Sequence, residues 1–143
     1  DLEGMCAVRA LGIPVVADES VYSAADVERV VRSGAADVVS IYVGKSSGLQ
    51  RAVAAARVAS SLGAGVVIGS NGEMDLGAAA QLHLACACEQ LASIPCGIIG
   101  HHFYDDERTL EEPLAIEGSV ATLPDGPGLG VRPSEEIRRS FAS

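Results

Sequence analysis

Asp37-Val38-Val39-Ser40-Ile41-Tyr42-Val43 runs into Gly44-Lys45-Ser46-Ser47-Gly48, and from Leu49 to Leu62 the chain turns rich in Ala and Arg. A β-branched run, a polar glycine corner and an alanine-rich helical stretch make one βα unit. The same unit recurs on either side. Ile13 to Ala17 breaks at Asp18-Glu19-Ser20 and is followed by Ala24 to Ser33, with Val27, Val30 and Val31 at helical spacing. Ser23 and Asp26 are placed to cap that helix. Gly65 to Gly69 breaks at Ser70-Asn71-Gly72-Glu73, and a helix is expected from Asp75 to Ala92, stopped by Ile94-Pro95. A fourth strand is expected over Cys96 to Gly100, reaching His101-His102, and Leu2, Met5, Cys6 and Arg9 suggest the tail of an earlier helix.

Near-continuous apolar strands alternating with helices predict a parallel α/β sheet buried on both faces. The strands begin roughly 25 to 31 residues apart, the spacing of βα repeats. After His102 the repeat stops. An acidic loop leads to two short β-like pieces, Leu114 to Glu117 and Val120 to Leu123, then to the turn-rich Pro124 to Gly130 and a last helix from about Pro133. The chain therefore divides at about residue 104, and the tail from 105 to 143 needs something to lie against.

Composition excludes several classes. The 143 residues carry 10 Lys and Arg against 19 Asp and Glu, a formal charge of −9, which repels phosphate backbones and anionic lipid. Neither nucleic acid nor a membrane is an expected partner. No apolar run approaches the roughly 20 residues that span a bilayer, and the first residues do not form a signal peptide. Cys6, Cys86, Cys88 and Cys96 do not read as a disulfide framework, and Cys86-x-Cys88 inside an apolar helix reads as small hydrophobes. A reducing, cytoplasmic compartment is expected. Gly44-Lys45-Ser46 fails as a phosphate loop because Val39 stands where a glycine is required, and Gly63-Ala64-Gly65 leads into a strand rather than out of one.

In parallel α/β folds functional groups gather at the carboxyl ends of strands. Here those ends hold Asp18, Glu19, Tyr42, Lys45, Asn71, Glu73, Ile99 and His101. Taken singly, Asp18 could cap a helix, and Glu73 could simply favour a helix amino terminus. Tyr42 could hydrogen-bond a substrate, and Lys45 could be a solvated loop lysine. The second of the paired histidines would point away from the first, so at most one of them could bind a metal.

Four segments together carry a resemblance: Ile13 to Ser20, Ser40 to Gly48, Ile68 to Gly77 with Ala80-x-x-His83-Leu84-Ala85 behind it, and Pro124 to Val131. In this order and spacing the chain resembles the carboxyl half of the enolase superfamily, in its mandelate-racemase and muconate-lactonizing branch. The resemblance covers essentially the whole sequence. It implies about strands five to eight of a (β/α)₈ barrel, with a carboxyl-terminal segment that would pack on a capping domain outside this chain. A full barrel takes about 250 residues, so the chain reads as the back half of an enzyme whose amino-terminal half would be its partner.

The resemblance further implies abstraction of the proton α to the carboxylate of a small substrate, with Mg²⁺ (or Mn²⁺) stabilising an enediolate. Asp18 matches a metal carboxylate, with Glu19 supporting it. Glu73 matches an acid that assists in the pocket, and Asn71, Ile99 and His101 would line it. The branch usually has a lysine where this chain has Tyr42, with Lys45 retained three residues on. An ordinary tyrosine, with a pKa near 10, is a poor base at neutral pH. A one-base β-elimination or cycloisomerisation is therefore expected over a two-base racemisation, in a protein that forms homo-oligomers. The competing reading is a free-standing or catalytically inactive α/β binding module on the same scaffold.

Overall fold

A computed structural model describes residues 1–98, 100 and 109–141. Three strands, β1 (Val16–Ala17), β2 (Val38–Ile41) and β3 (Gly65–Ile68), form one parallel sheet in the order β1-β2-β3. Val38 faces Val16 on one side and Gly65 on the other, and the β2–β3 register runs to Ile41 opposite Ile68. Consecutive parallel strands require helical crossovers. These are α2 (Ala24–Arg32) and α3 (Leu49–Ser61), preceded by α1 (Leu2–Ala10) and followed by α4 (Asp75–Ala87).

Local signals explain most of the boundaries. Ser23 caps α2 by accepting from the Asp26 amide, and Asp26 Oδ2 in return accepts from the Ser23 hydroxyl at 2.8 Å and from the Tyr22 amide at 3.2 Å. Val27 and Val30 then face the core, while Glu28 and Arg32 pair on the solvent side. The buried face of α3 is Ala52, Ala55, Ala56 and Ala59, whose small side chains let the helix lie close to the sheet. The core is aliphatic throughout, centred on Val39, Ile41, Val66, Ile68 and Leu84. At the amino ends of the strands Arg9 donates to the Gly34 carbonyl and to Asp37, both at 2.7 Å, and Asp37 accepts from the Val15 amide. That clamp ties α1 to β1 and to the turn before β2. The Arg9 guanidinium, with the Val15 amide, holds the Asp37 carboxyl below its ordinary value.

Three expectations change. Helix α4 ends at Ala87, not Ala92, because Cys88 is already extended (ψ 128). The free edge of β3 takes up the chain that follows: Val66 donates to the Gln90 carbonyl, and Ala92 donates to the Val66 carbonyl. Buried backbone groups must pair somewhere, and an open strand edge outcompetes a helix end that lacks a glycine cap. The expected fourth strand is not formed over Cys96 to Ile98, where Gly97 alone donates to the Ile68 carbonyl at 2.7 Å. Nor is β1 buried on both faces, since Val16 stays 44% exposed at the sheet edge.

From residue 109 onward the chain forms a small antiparallel hairpin, β4 (Ile116–Glu117) with β5 (Val120–Ala121), and a short helix α5 (Glu135–Ser140) capped by Ser134. This tail lies against α4. His83 Nε2 stands 3.1 Å from the Leu129 carbonyl, which can only accept, so the ring donates there. Thr109 donates to the Asp75 carboxylate, buried Leu110 bridges to Pro133, and Arg138 pairs with Glu111. All four cysteines are free. Burial first, then the neighbouring Cys96, pushes the Cys88 thiol up to about 11, so it packs as a hydrophobe at neutral pH.

Candidate functional site at the carboxyl ends of the strands

Asp18 directly follows β1 and Tyr42 directly follows β2, so the parallel register brings them to one end of the sheet. The Tyr42 hydroxyl donates to Asp18 Oδ2 at 2.8 Å. Lys45 sits in a tight turn in which the Ser46 amide bonds back to Tyr42, Ser47 to Gly44 and Gly48 to Val43. Ser47 closes that turn in the left-handed region at φ 59, a conformation that costs a non-glycine residue of order 1 kcal/mol. The turn aims the lysine inward. Lys45 Nζ donates to Asp18 Oδ1 at 2.5 Å and to the Asp18 carbonyl at 2.8 Å, and it lies 3.9 Å from the centroid of the Tyr42 ring. With 9% of its side chain exposed, Lys45 is no solvated loop lysine.

Burial, followed by the hydrogen bond and the charge of Asp18, raises the Tyr42 pKa above its ordinary 10. The phenol therefore keeps its proton at neutral pH. Glu19 is exposed and acts on Tyr42 through its charge. Gly69 makes room for the ring: a Cβ there would stand 2.2 Å from Tyr42 Cε2 and 2.7 Å from Ser40 Oγ. An open cavity of about 320 Å³ lies beside it, lined by Ser40, Tyr42, Val67, Gly69, Ser70 and Gly97 among others.

Glu73 ends the turn after β3 and is held by neutral donors. Its Oε2 accepts from Ser70 Oγ at 2.5 Å, from the Asn71 amide at 2.9 Å and from Gln81 Nε2 at 2.9 Å. Its Oε1 accepts from Asn71 Nδ2 at 3.3 Å. Asn71 thus serves the carboxylate and the turn around it. Gly100 crowds onto the Glu73 backbone, where a Cβ would fall 1.8 Å from the Glu73 carbonyl oxygen. Ile99 and His101, expected to line the pocket, lie outside the described residues.

Sequence reasoning missed Ser70 and Gln81. Ser70 is spent on the turn, donating to Glu73 and accepting from the Gly72 amide. The signal for Gln81 was its position, a lone amide between the alanine run Ala78 to Ala80 and Leu82.

Asp18 is the carboxylate available to a divalent cation here. One of its oxygens meets Lys45 and the other Tyr42, and each keeps lone-pair capacity for a further partner. Among the described residues no three Asp, Glu, His or Cys side chains come together to hold a metal. The donor chemistry suits one oxygen ligand of a hard cation, and such an ion needs several more.

A parallel α/β sheet that collects a carboxylate, a phenol, an amine and a second carboxylate at its carboxyl end has the layout in which α/β proteins build their sites. The family of enolase C-terminal domain-like proteins matches residues 1–137, and the chain belongs to it. Muconate cycloisomerase 1 of Rhodococcus opacus is 36% identical over 123 residues, covering 86% of this chain and 32% of the relative. The L-Ala-D/L-Glu epimerase of Thermotoga maritima is 34% identical over 133 residues, covering 92% of this chain and 35% of the relative. The solved 2-chloromuconate cycloisomerase of Rhodococcus opacus 1CP superposes with a TM-score of 0.90 at 28% identity, over 99% of this chain and 38% of that one. The chain thus spans about a third of the length of these curated relatives. Among the described residues no helix is long and apolar enough to cross a membrane.

Proposed function

We propose that this chain contributes the back half of a (β/α)₈ barrel, with β1, β2 and β3 as strands five to seven and the stretch from Cys96 completing the eighth in the whole protein, a cytoplasmic, homo-oligomeric enzyme that removes the proton α to the carboxylate of a small acid. The tail from 105 to 143 belongs with a capping domain formed by sequence outside this chain, and the general base would be a lysine on the second strand of the barrel, also outside this chain. Such a carbon acid is very weak, so the charge of the developing enediolate must be neutralised as it forms. A Mg²⁺ or Mn²⁺ ion held in part by Asp18 would supply that neutralisation. Lys45 fixes the Asp18 carboxylate in place, and Tyr42 orients its second oxygen. Glu73, anchored by Ser70, Asn71 and Gln81, presents a fixed negative charge beside the pocket.

The observation that supports the stereochemical part is the Tyr42 phenol, which donates to Asp18 Oδ2 at 2.8 Å. A phenol whose one proton is held and given to Asp18 cannot take a proton from the opposite face of a substrate. This supports a one-base β-elimination or cycloisomerisation over epimerisation, although both cycloisomerases and epimerases stand among the relatives. The test is proton exchange in D₂O with Mg²⁺ present, using muconate and an alanyl-glutamate dipeptide as probes. Turnover or exchange from one stereochemical face is expected. Exchange from both faces at similar rates would show that a second base is at work.

A further inference from the structure

The buried face of α4 is Ala78, Ala79, Ala80, Leu82 and Leu84, interrupted only by Gln81. Gln81 is fully buried. Its amide nitrogen donates twice at 2.9 Å, to the Gly69 carbonyl just after β3 and to Glu73 Oε2. Its amide oxygen is buried and finds no partner among the described residues. For folding alone this is a poor residue, since leucine would fill a similar volume without a polar atom to desolvate. The orientation is nevertheless forced. Turned over, the amide would aim its oxygen at a carbonyl and a carboxylate, both acceptors.

Of the three donors on Glu73 Oε2, Ser70 and Asn71 come from the same turn and move with it. Gln81 reaches in from eight positions along the chain and fastens that turn to the helix and to the end of β3. We infer that Gln81 is a positioning residue for Glu73, holding its carboxylate at a set point beside the pocket against a cost in folding. This rests on the reading of Glu73 as a group that works in that pocket.

The experiment substitutes Gln81→Leu in the intact protein, with Gln81→Met as an unbranched second variant should leucine pack badly. Amide hydrogen exchange at Asn71 and Gly72 should accelerate tenfold or more. The amides of Leu82 and Leu84 should keep their protection, and the thermal midpoint should hold or rise. Unchanged exchange at Asn71 and Gly72, or equal loosening throughout α4, would overturn the positioning role. Turnover separates the two readings. A tenfold fall in kcat with Gln81→Leu should vanish in a Glu73→Gln background, because the two substitutions then break the same link. If Glu73→Gln alone leaves turnover intact, the assignment of Glu73 to the pocket fails, while the exchange data still judge Gln81.

Discussion

Asp18 after β1 and Glu73 after β3 are both carboxylates at strand ends, yet they are held in opposite ways. Asp18 faces an ammonium and a phenol, so its charge is balanced where it stands. Glu73 is bound by a hydroxyl, a backbone amide and two side-chain amides, and among the described residues these donors are all neutral. The difference separates two jobs. The ion pair fixes Asp18 and partly offsets its charge while each oxygen keeps a lone pair for a cation, whereas the neutral donors fix Glu73 without offsetting its charge.

The sharpest way to break this contrast is Lys45→Met. It leaves Asp18 without its cation, and breaking a fully buried pair costs about 3–5 kcal/mol. Asp18 keeps 35% exposure, so a loss of about 2–3 kcal/mol is expected, or a fall in Tm of roughly 5–10 °C. Calorimetry checks it, and a fall under about 2 °C would mean that the ion pair does not hold Asp18. Ser70→Ala acts on the other carboxylate. It removes one donor from Glu73 and the acceptor of the Gly72 amide, with an expected cost of about 1 kcal/mol by urea denaturation. A cost as large as that of Lys45→Met would erase the distinction between charged and neutral anchoring.

The smallest effect is on pH. The folded-state pKa of Tyr42 lies above its unfolded value of 10. Between those two values the folded chain holds a proton that the unfolded chain has released. The contribution is therefore fully present below pH 10 and is lost as pH climbs through the folded value. Wild type should lose stability above pH 10 more steeply than Tyr42→Phe in matched denaturation series, and parallel curves would remove the Asp18–Tyr42 bond from the account.

Much of this architecture was legible along the chain. The alternation around Val38 to Ile41, the Ser23–Asp26 cap and the valine stripe of α2 are local signals, and the structure follows them. The strand ends holding Asp18, Tyr42 and Glu73 followed from the same pattern. Less legible were the outcomes of competition in space. A stretch that scanned as helix up to Ala92 pairs instead with the open edge of β3 from Gln90. Lys45 read equally well as a solvated lysine, because nothing in Gly44 to Gly48 announces that the turn aims it back at Asp18, 27 residues earlier.

The sequence by itself determined the α/β class, the order of elements and which polar groups stand at strand ends. Periodicity and caps involve residues only a few positions apart. Tertiary structure alone decided that Lys45 neutralises Asp18, that Gln81 anchors Glu73 and that His83 receives the glycine-rich tail 46 residues further on. Those pairings depend on how the sheet and helices are stacked, and on burial that makes each unpaired polar atom costly.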